Sequence, residues 1–107
     1  MVSINENDRA KLKYLENKSE LLKAIAHPIR LCILNCLRNV GDCNVTELIE
    51  KLEKPQSTIS QHLSRLRAAG IVAGERNGLE VQYSIINEDI NVIVDLLMND
   101  LSEQGEV

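Results

Sequence analysis

The apolar positions of this 107-residue chain fall into five stretches of helical period and one stretch of alternation. The most informative runs from Lys54 to Gly70, KPQSTISQHLSRLRAAG. Pro55 suits a helix start, where its missing N–H costs nothing, and Gly70 suits the stop. At about 100° per residue, Ile59, Leu63 and Leu66 share one narrow face, the one to be buried. The opposite face carries Ser57, Ser60, Gln61, Ser64 and Ala68, with Thr58 and Arg65 at its edges. A solvated helix face usually holds Glu and Lys. This one has no carboxylate and is lined by uncharged hydrogen-bonding groups. It reads either as a polar surface helix or as a helix lying against base edges in a DNA major groove. There Gln and Ser can bond bases, and a carboxylate would repel phosphates.

The flanking stretches bear on that choice. From about Asp8 to Ala26, Leu12, Leu15, Leu22 and Ala26 form a narrow, seam-like stripe with Ser19 in the gap. It suits docking on a partner helix, the other reading being a helix packed on its own domain. Pro28 opens a second helix, His27 to Leu37, that fades at Asn39 and stops at Gly41. Its apolar arc, from Ile29, Ile33, Cys32 and Cys36 round to Leu34 and Leu37, is broad and places it centrally in the core. Asn44-Val45-Thr46-Glu47 resembles a capping box and opens a helix to about Glu53 that buries Val45, Leu48, Ile49 and Leu52. Two short helices joined by a tight turn, the second polar outward, make a helix-turn-helix over 44–70.

After Gly70 the period switches to two. IVAGERNGLEVQYSI predicts two strands about an Asn77-Gly78 turn, with Val81, Tyr83 and Ile85 on the buried face. A plain two-residue loop there sets Glu75 opposite Glu80, a like-charge pair; a longer loop with a bulge is the alternative. Arg76 and Asn77 sit at the tip, so 71–86 reads as a basic wing. From about Glu88 to Ser102, Ile90, Ile93, Val94, Leu97 and Leu101 form a stripe that Leu96 widens, expected to pair with the first helix of a second chain. The expected fold is mainly α with a small β-hairpin: a dimeric winged helix-turn-helix of five helices plus wing. It forms a single domain over 1–107, with dimerisation helices at 8–26 and 88–102.

Composition narrows the classes. There is no Trp or Phe and only Tyr14 and Tyr83, so the core must be aliphatic. No apolar run approaches the roughly 20 residues of a membrane span, so no membrane partner is expected. The polar N-terminus lacks an apolar signal region, which points to the cytoplasm and to three reduced thiols rather than a disulfide framework. Net charge is -4, but it is segregated. Lys54, Arg65, Arg67 and Arg76 face one acid, Glu75, across the candidate contact region, whereas Glu88, Asp89, Asp95, Asp100, Glu103 and Glu106 crowd the C-terminal stretch without a basic residue. Such a balance lowers non-specific DNA affinity without removing a specific site.

Five motifs in order carry a resemblance: Ala26-His27-Pro28-Ile29-Arg30-Leu31, Thr46-Glu47-Leu48, Gln56 through Leu63, Leu66 through Val72, and Val81-Gln82-Tyr83-Ser84-Ile85. Together they resemble the arsenic- and metal-responsive ArsR/SmtB repressors, from Leu21 to Leu97. The resemblance implies a homodimer with outer helices at its interface. It also implies a double-stranded DNA operator bound through the helix-turn-helix and wing, and release by an inducer. The family's base-contact positions correspond to Gln56, Ser57, Ser60 and Gln61. With Thr58, Ser64, Arg65, Arg76 and Asn77 these are the candidate DNA-binding residues. Pro55 departs from the family, standing where a small polar cap is usual.

The family's known sensing sites correspond poorly. Its zinc ligands on the last helix fall here on Asp89-Ile90-Asn91 and near Ser102 and Gly105, and Asn91 and Ser102 are poor zinc ligands. Its arsenic site has only Cys43 nearby, one residue ahead of the expected place. Its sulfide-sensing members pair a second-helix Cys with one in the last helix. Here Asn35 takes the first position, beside Cys36, and the last helix has no Cys. Three thiols remain, Cys32, Cys36 and Cys43. Cys32 and Cys36, one turn apart, are either small core hydrophobes or, with Cys43, a set for a thiophilic metal or metalloid or for thiol modification. Cys43 follows Gly41-Asp42 and is expected to be exposed and reactive. A switch would draw it toward the other two, straining the 38–42 connection and tilting the helix that starts at Asn44. His27 is expected to be structural, and His62 a packing or phosphate-contact residue.

No Cys-x-x-Cys, Gly-rich phosphate loop or nucleophile–base pair supports an enzyme. The expected function is a homodimeric DNA-binding transcriptional regulator, a repressor released by an inducer. The alternatives are a winged-helix protein-interaction module, or a family member with no metal or thiol sensing.

Overall fold

Among the described residues, four of the five helices start on a side chain that accepts a hydrogen bond from the first turn. Asn5 Oδ1 accepts from the Asp8 N–H at 2.9 Å and opens α1 (Glu6–Ile25). His27 Nδ1 accepts from Ile29 at 3.1 Å and opens α2 (Pro28–Val40), with Pro28 in the first turn. Asn44 Oδ1 accepts from Glu47 at 2.8 Å, while Glu47 Oε1 accepts the Asn44 N–H at 3.1 Å. This reciprocal capping box opens α3 (Val45–Leu52). Asn87 Oδ1 accepts from Ile90 at 3.0 Å at the start of α5 (Glu88–Glu103). The exception is α4 (Gln56–Ala68): Pro55 is its N-cap, one place before the first helical residue, and offers no side-chain bond. The structure is a computed structural model that describes residues 5–103, with side chains through Asn99.

The core is aliphatic, and α2 runs through its middle, touching α3, α4, α5 and the hairpin. Ile33 and Leu34 of α2, Leu48 of α3, Ile59, Leu63 and Leu66 of α4, and Ile90 and Val94 of α5 are fully enclosed. On α1 only Ala24 and Ile25 are buried. The stripe ahead of them is open to solvent, Leu15 being 60% exposed, so it does not pack on its own domain. On α5 the apolar positions divide. Ile90, Val94 and Met98 face inward, while Val92, Leu96 and Leu97 face outward, Leu96 at 69% exposure. The side chains of Leu101 and Ser102, and Gly105 altogether, lie outside the described residues. Two ion pairs tie α5 back: Arg38 Nη1 with Asp95 Oδ1 at 2.7 Å, and Lys18 with Asp89.

The hairpin pairs β1 (Val72–Asn77) antiparallel with β2 (Glu80–Ile85). Its register differs by one residue from an Asn77-Gly78 loop. The loop is Gly78-Leu79, so Asn77 faces Glu80, Glu75 faces Gln82, and neither the like-charge pair nor a bulge arises. The backbone explains the shift. Gly78 has φ +70 and is alone in the loop in having a positive φ, the form of a two-residue turn with Gly in first place. Near the base, a Cβ on Gly74 would lie 2.7 Å from Val81 Cγ1 and 3.0 Å from Tyr83 Cε1, so Gly74 lets β1 close on the Tyr83 ring. Cys43 adds a short third rung: its N–H donates to Tyr83 O at 3.1 Å, and the Tyr83 N–H to Cys43 O at 2.7 Å. Asn44 Nδ2 then donates to Glu80 Oε2 at 2.9 Å. The start of the helix-turn-helix and the wing are thereby stitched together.

Candidate nucleic-acid interface

The outward face of α4 follows from its inward one. With Ile59, Leu63 and Leu66 enclosed, the helix leaves Gln56, Ser57, Gln61, Ser64 and Arg65 exposed, and Thr58 and Ser60 half-buried at the edges. Arg76 and Asn77 are exposed at the end of β1. Among the described residues, none of these nine side chains enters a hydrogen bond or ion pair within the chain. They are uncommitted donors and acceptors. The α4 start completes the surface, because its first-turn N–H groups have no side-chain cap and carry the positive end of the helix dipole. No acidic residue lies on α4, and Arg65 and Arg67 occupy its last turn.

Behind α4 lies a polar cluster that sequence reasoning did not assemble. The His27 and His62 rings lie against each other at a tilt of 37° with centroids 4.3 Å apart, and Arg30 Nη1 donates to His62 Nδ1 at 3.3 Å. Both histidines therefore accept at Nδ1 and carry their proton at Nε2, His27 serving as the α2 cap. Burial, then the neighbouring His27 and Arg30, hold the His62 pKa below the usual histidine value. His27 is structural, as expected, and of the two expectations for His62, packing or phosphate contact, this arrangement supports packing. The signal available in the sequence was the pairing of two histidines with one arginine, but 32 residues separate Arg30 from His62.

The cysteines depart from expectation. Cys43 is not exposed: its relative exposure is 0%, its Sγ donates to Gly41 O at 3.4 Å, and its backbone is held by Tyr83. Burial, with the Cys36 thiol beside it, pushes the Cys43 pKa up to about 11, away from the reactive thiolate. Cys36 is buried as well, whereas Cys32 is exposed on the outer face of α2. Among the described residues, no three His, Cys, Asp or Glu side chains converge to hold a metal ion, so the three thiols do not form a common ligand set. A switch that draws Cys43 toward its partners is opposed by the enclosure of its side chain and by its backbone bridge to Tyr83.

Comparison with known proteins agrees with the geometry. Residues 27–73 match the model described as bacterial regulatory protein, arsR family. The transcriptional repressor PagR of Bacillus anthracis is 46% identical over 89 residues, covering 81% of this chain and 89% of PagR. The chain belongs to the ArsR family. This ArsR-family regulator superposes on the crystal structure of PagR with a TM-score of 0.76 at 45% identity, over 80% of this chain and 98% of that one. The transcriptional repressor SmtB of Mycobacterium tuberculosis is 45% identical over 80 residues, 75% of this chain but 58% of SmtB. Reduced HlyU of Vibrio cholerae gives a TM-score of 0.76 at 33% identity, over 84% and 94% of the two chains. HlyU carries the description transcriptional activator. The five-helix, winged helix-turn-helix architecture is thus that of its family, and the chain is a transcriptional regulator. No helix among the described residues is long and apolar enough to cross a membrane.

Proposed function

We propose that this regulator acts in the cytoplasm as a homodimeric, non-enzymatic repressor that occupies a two-fold symmetric operator and leaves it when an inducer binds. The observation that carries this is the α4 face: exposed, free of carboxylates and uncommitted within the chain. Gln56, Ser57, Ser60 and Gln61 are assigned to base edges, with Thr58, Ser64 and Arg65 on the groove walls and Arg76 and Asn77 following the backbone from the wing. The names of PagR and SmtB favour repression.

The open apolar side chains of α1 and α5 support the homodimer. Leu12, Leu15 and Leu22 on one helix and Val92, Leu96 and Leu97 on the other are all exposed, and exposed apolar groups of this kind mark interaction surfaces. Two copies would present two recognition helices, one per half-site. Any thiol chemistry in the release step is assigned to Cys32, because Cys36 and Cys43 are enclosed. Gel shifts against the DNA upstream of the chain's own gene test the reading. Wild type should retard a defined fragment, and Gln61→Ala should lose about 1–3 kcal/mol of specific affinity together with sequence preference. A Gln61→Ala protein that binds its operator normally would refute the groove assignment.

A further inference from the structure

The outer face of α2 and the end of α3 enclose an open groove of about 370 Å³ that the DNA-binding and dimer surfaces do not use. Its walls are apolar: Ile29 and Val40 from α2, Leu52 from α3, and the Cys32 and Cys36 side chains between them. Lys51 and Lys54 contribute the cations at its mouth, and no carboxylate lines it. That is a marked local excess in a chain of net charge -4. Asn35 also lines it. Its Oδ1 accepts from Asn39 Nδ2 at 3.1 Å and from Arg38 Nη2 at 3.5 Å. Arg38 can only donate, so the Asn35 amide oxygen is the atom held by Arg38 and Asn39, and its NH₂ is left as a donor. Apolar walls with a few convergent donors, at this volume, describe a small-molecule site.

We propose that this groove binds a small amphipathic monocarboxylate, with Lys51, Lys54 and the Asn35 amide on the carboxylate and Ile29, Val40 and Leu52 on the apolar body, and that occupancy weakens operator binding. The second part rests on the repressor reading above. Charge complementarity selects the ligand: a neutral apolar molecule leaves two lysines unused, and a cation is repelled by them. The groove shares no residue with the exposed apolar surface of α1 and α5.

The route to DNA is short. Leu52 ends α3, Glu53 caps it with φ 54 and ψ 43, and Lys54 and Pro55 lead into α4. Glu53 holds a left-handed backbone without being glycine, so the turn between the two helices is a strained joint. A ligand gripping Leu52 and Lys54 against α2 holds one side of that joint. The angle between α3 and α4 then differs between the empty and filled states. The filled state positions the recognition helix less well, and release follows from that difference in affinity.

Octanoate and 4-phenylbutyrate serve as probes, with octanol and octylamine as neutral and cationic controls. Titration of the full chain followed by amide NMR should shift the signals of Cys32, Asn39, Lys51 and Lys54. Octanol and octylamine should bind at least tenfold more weakly than octanoate, and Lys51→Glu should weaken octanoate binding at least tenfold with the fold retained. In gel shifts, octanoate at a concentration that saturates wild type should weaken its operator binding at least fivefold and leave that of Lys51→Glu unmoved. Equal binding of octanol and octanoate, shifts confined to α1 and α5, or no shifts at all would overturn the site. Groove binding with unchanged operator affinity would overturn the coupling. The two readings fail separately, because wild type that binds no DNA refutes the repressor while the NMR titration still decides the groove.

Discussion

Asn44 is the residue whose replacement tests the architecture most directly, because it makes two contacts of different kinds. Its Oδ1 caps α3 through the Glu47 N–H at 2.8 Å, and its Nδ2 reaches Glu80 Oε2 on the wing at 2.9 Å. Asn44→Ala removes both. Loss of the cap costs about 1 kcal/mol, and the exposed bond to Glu80 adds at most about 0.5 kcal/mol. For a domain of this size each kcal/mol lowers Tm by roughly 4–8 °C, so Ala should melt at least that much below wild type. Asn44→Asp separates the contacts: a carboxylate caps as well as an amide, yet it has no donor and faces Glu80. Its Tm should fall by less than half the Ala value, while its operator affinity drops several-fold through a displaced wing. Glu80→Gln in the Asp background should restore that affinity. Melting followed by circular dichroism at one fixed protomer concentration, alongside gel shifts, decides the matter. If Asp melts as low as Ala, or if Ala melts with wild type, the cap is not what holds the start of α3.

Leu97→Asp should yield a monomer by light scattering with poor operator binding, and a wild-type monomer at micromolar concentration would refute the α1 and α5 interface. Arg76→Ala should weaken all DNA sequences alike and reduce the salt slope by about one, read from binding isotherms at several salt concentrations. His62 has a folded pKa below its unfolded 6.5, so its contribution is present above pH 6.5 and is lost as pH falls through that value toward the folded pKa. Urea midpoints should therefore drop between pH 7.5 and 5.5, and His62→Gln should flatten that slope. Cys43 has the opposite sign: raised from 9.0 to about 11, it contributes stability below pH 9 that disappears as pH climbs through 11. With an aromatic disulfide reagent at pH 8, Cys32 should react first and Cys43 only on unfolding, as mass spectrometry of the labelled peptides can show.

Local signals were legible where one residue decides one contact. The capping box at Asn44 and Glu47, the Pro28 start and the Ile59, Leu63, Leu66 face all follow from spacing alone, and each stands in the structure. The polar face of α4 was equally open to inspection, since burying three positions exposes the others. The hairpin was legible as a hairpin but not in register. Asn77-Gly78 is a strong turn signal, yet the like-charge pair it creates pushes the loop one residue on, with Gly78 keeping its positive φ. Cys43 was misread because Gly41-Asp42 resembles a solvent loop, and the partner that buries it, Tyr83, is 40 residues away. Met98 was passed over for Leu97 because a stripe of leucines hides which of two faces turns inward. The His27, Arg30, His62 cluster was invisible for the same reason as the Cys43 bridge: it exists only once α2 and α4 have docked.

Gly74 divides the wing into two zones of very different tolerance. At the base, any side chain must displace Val81 or the Tyr83 ring, and Tyr83 is also what holds Cys43. A change there disturbs the junction with the helix-turn-helix. From Arg76 to Leu79 every residue is exposed, Leu79 almost completely, and only the φ of Gly78 is constrained. The tip is therefore exchangeable cargo on a fixed mount. Grafting the four tip residues between regulators of this build should change DNA affinity evenly across sequences, through the charge carried at the tip, while leaving the melting temperature where it was.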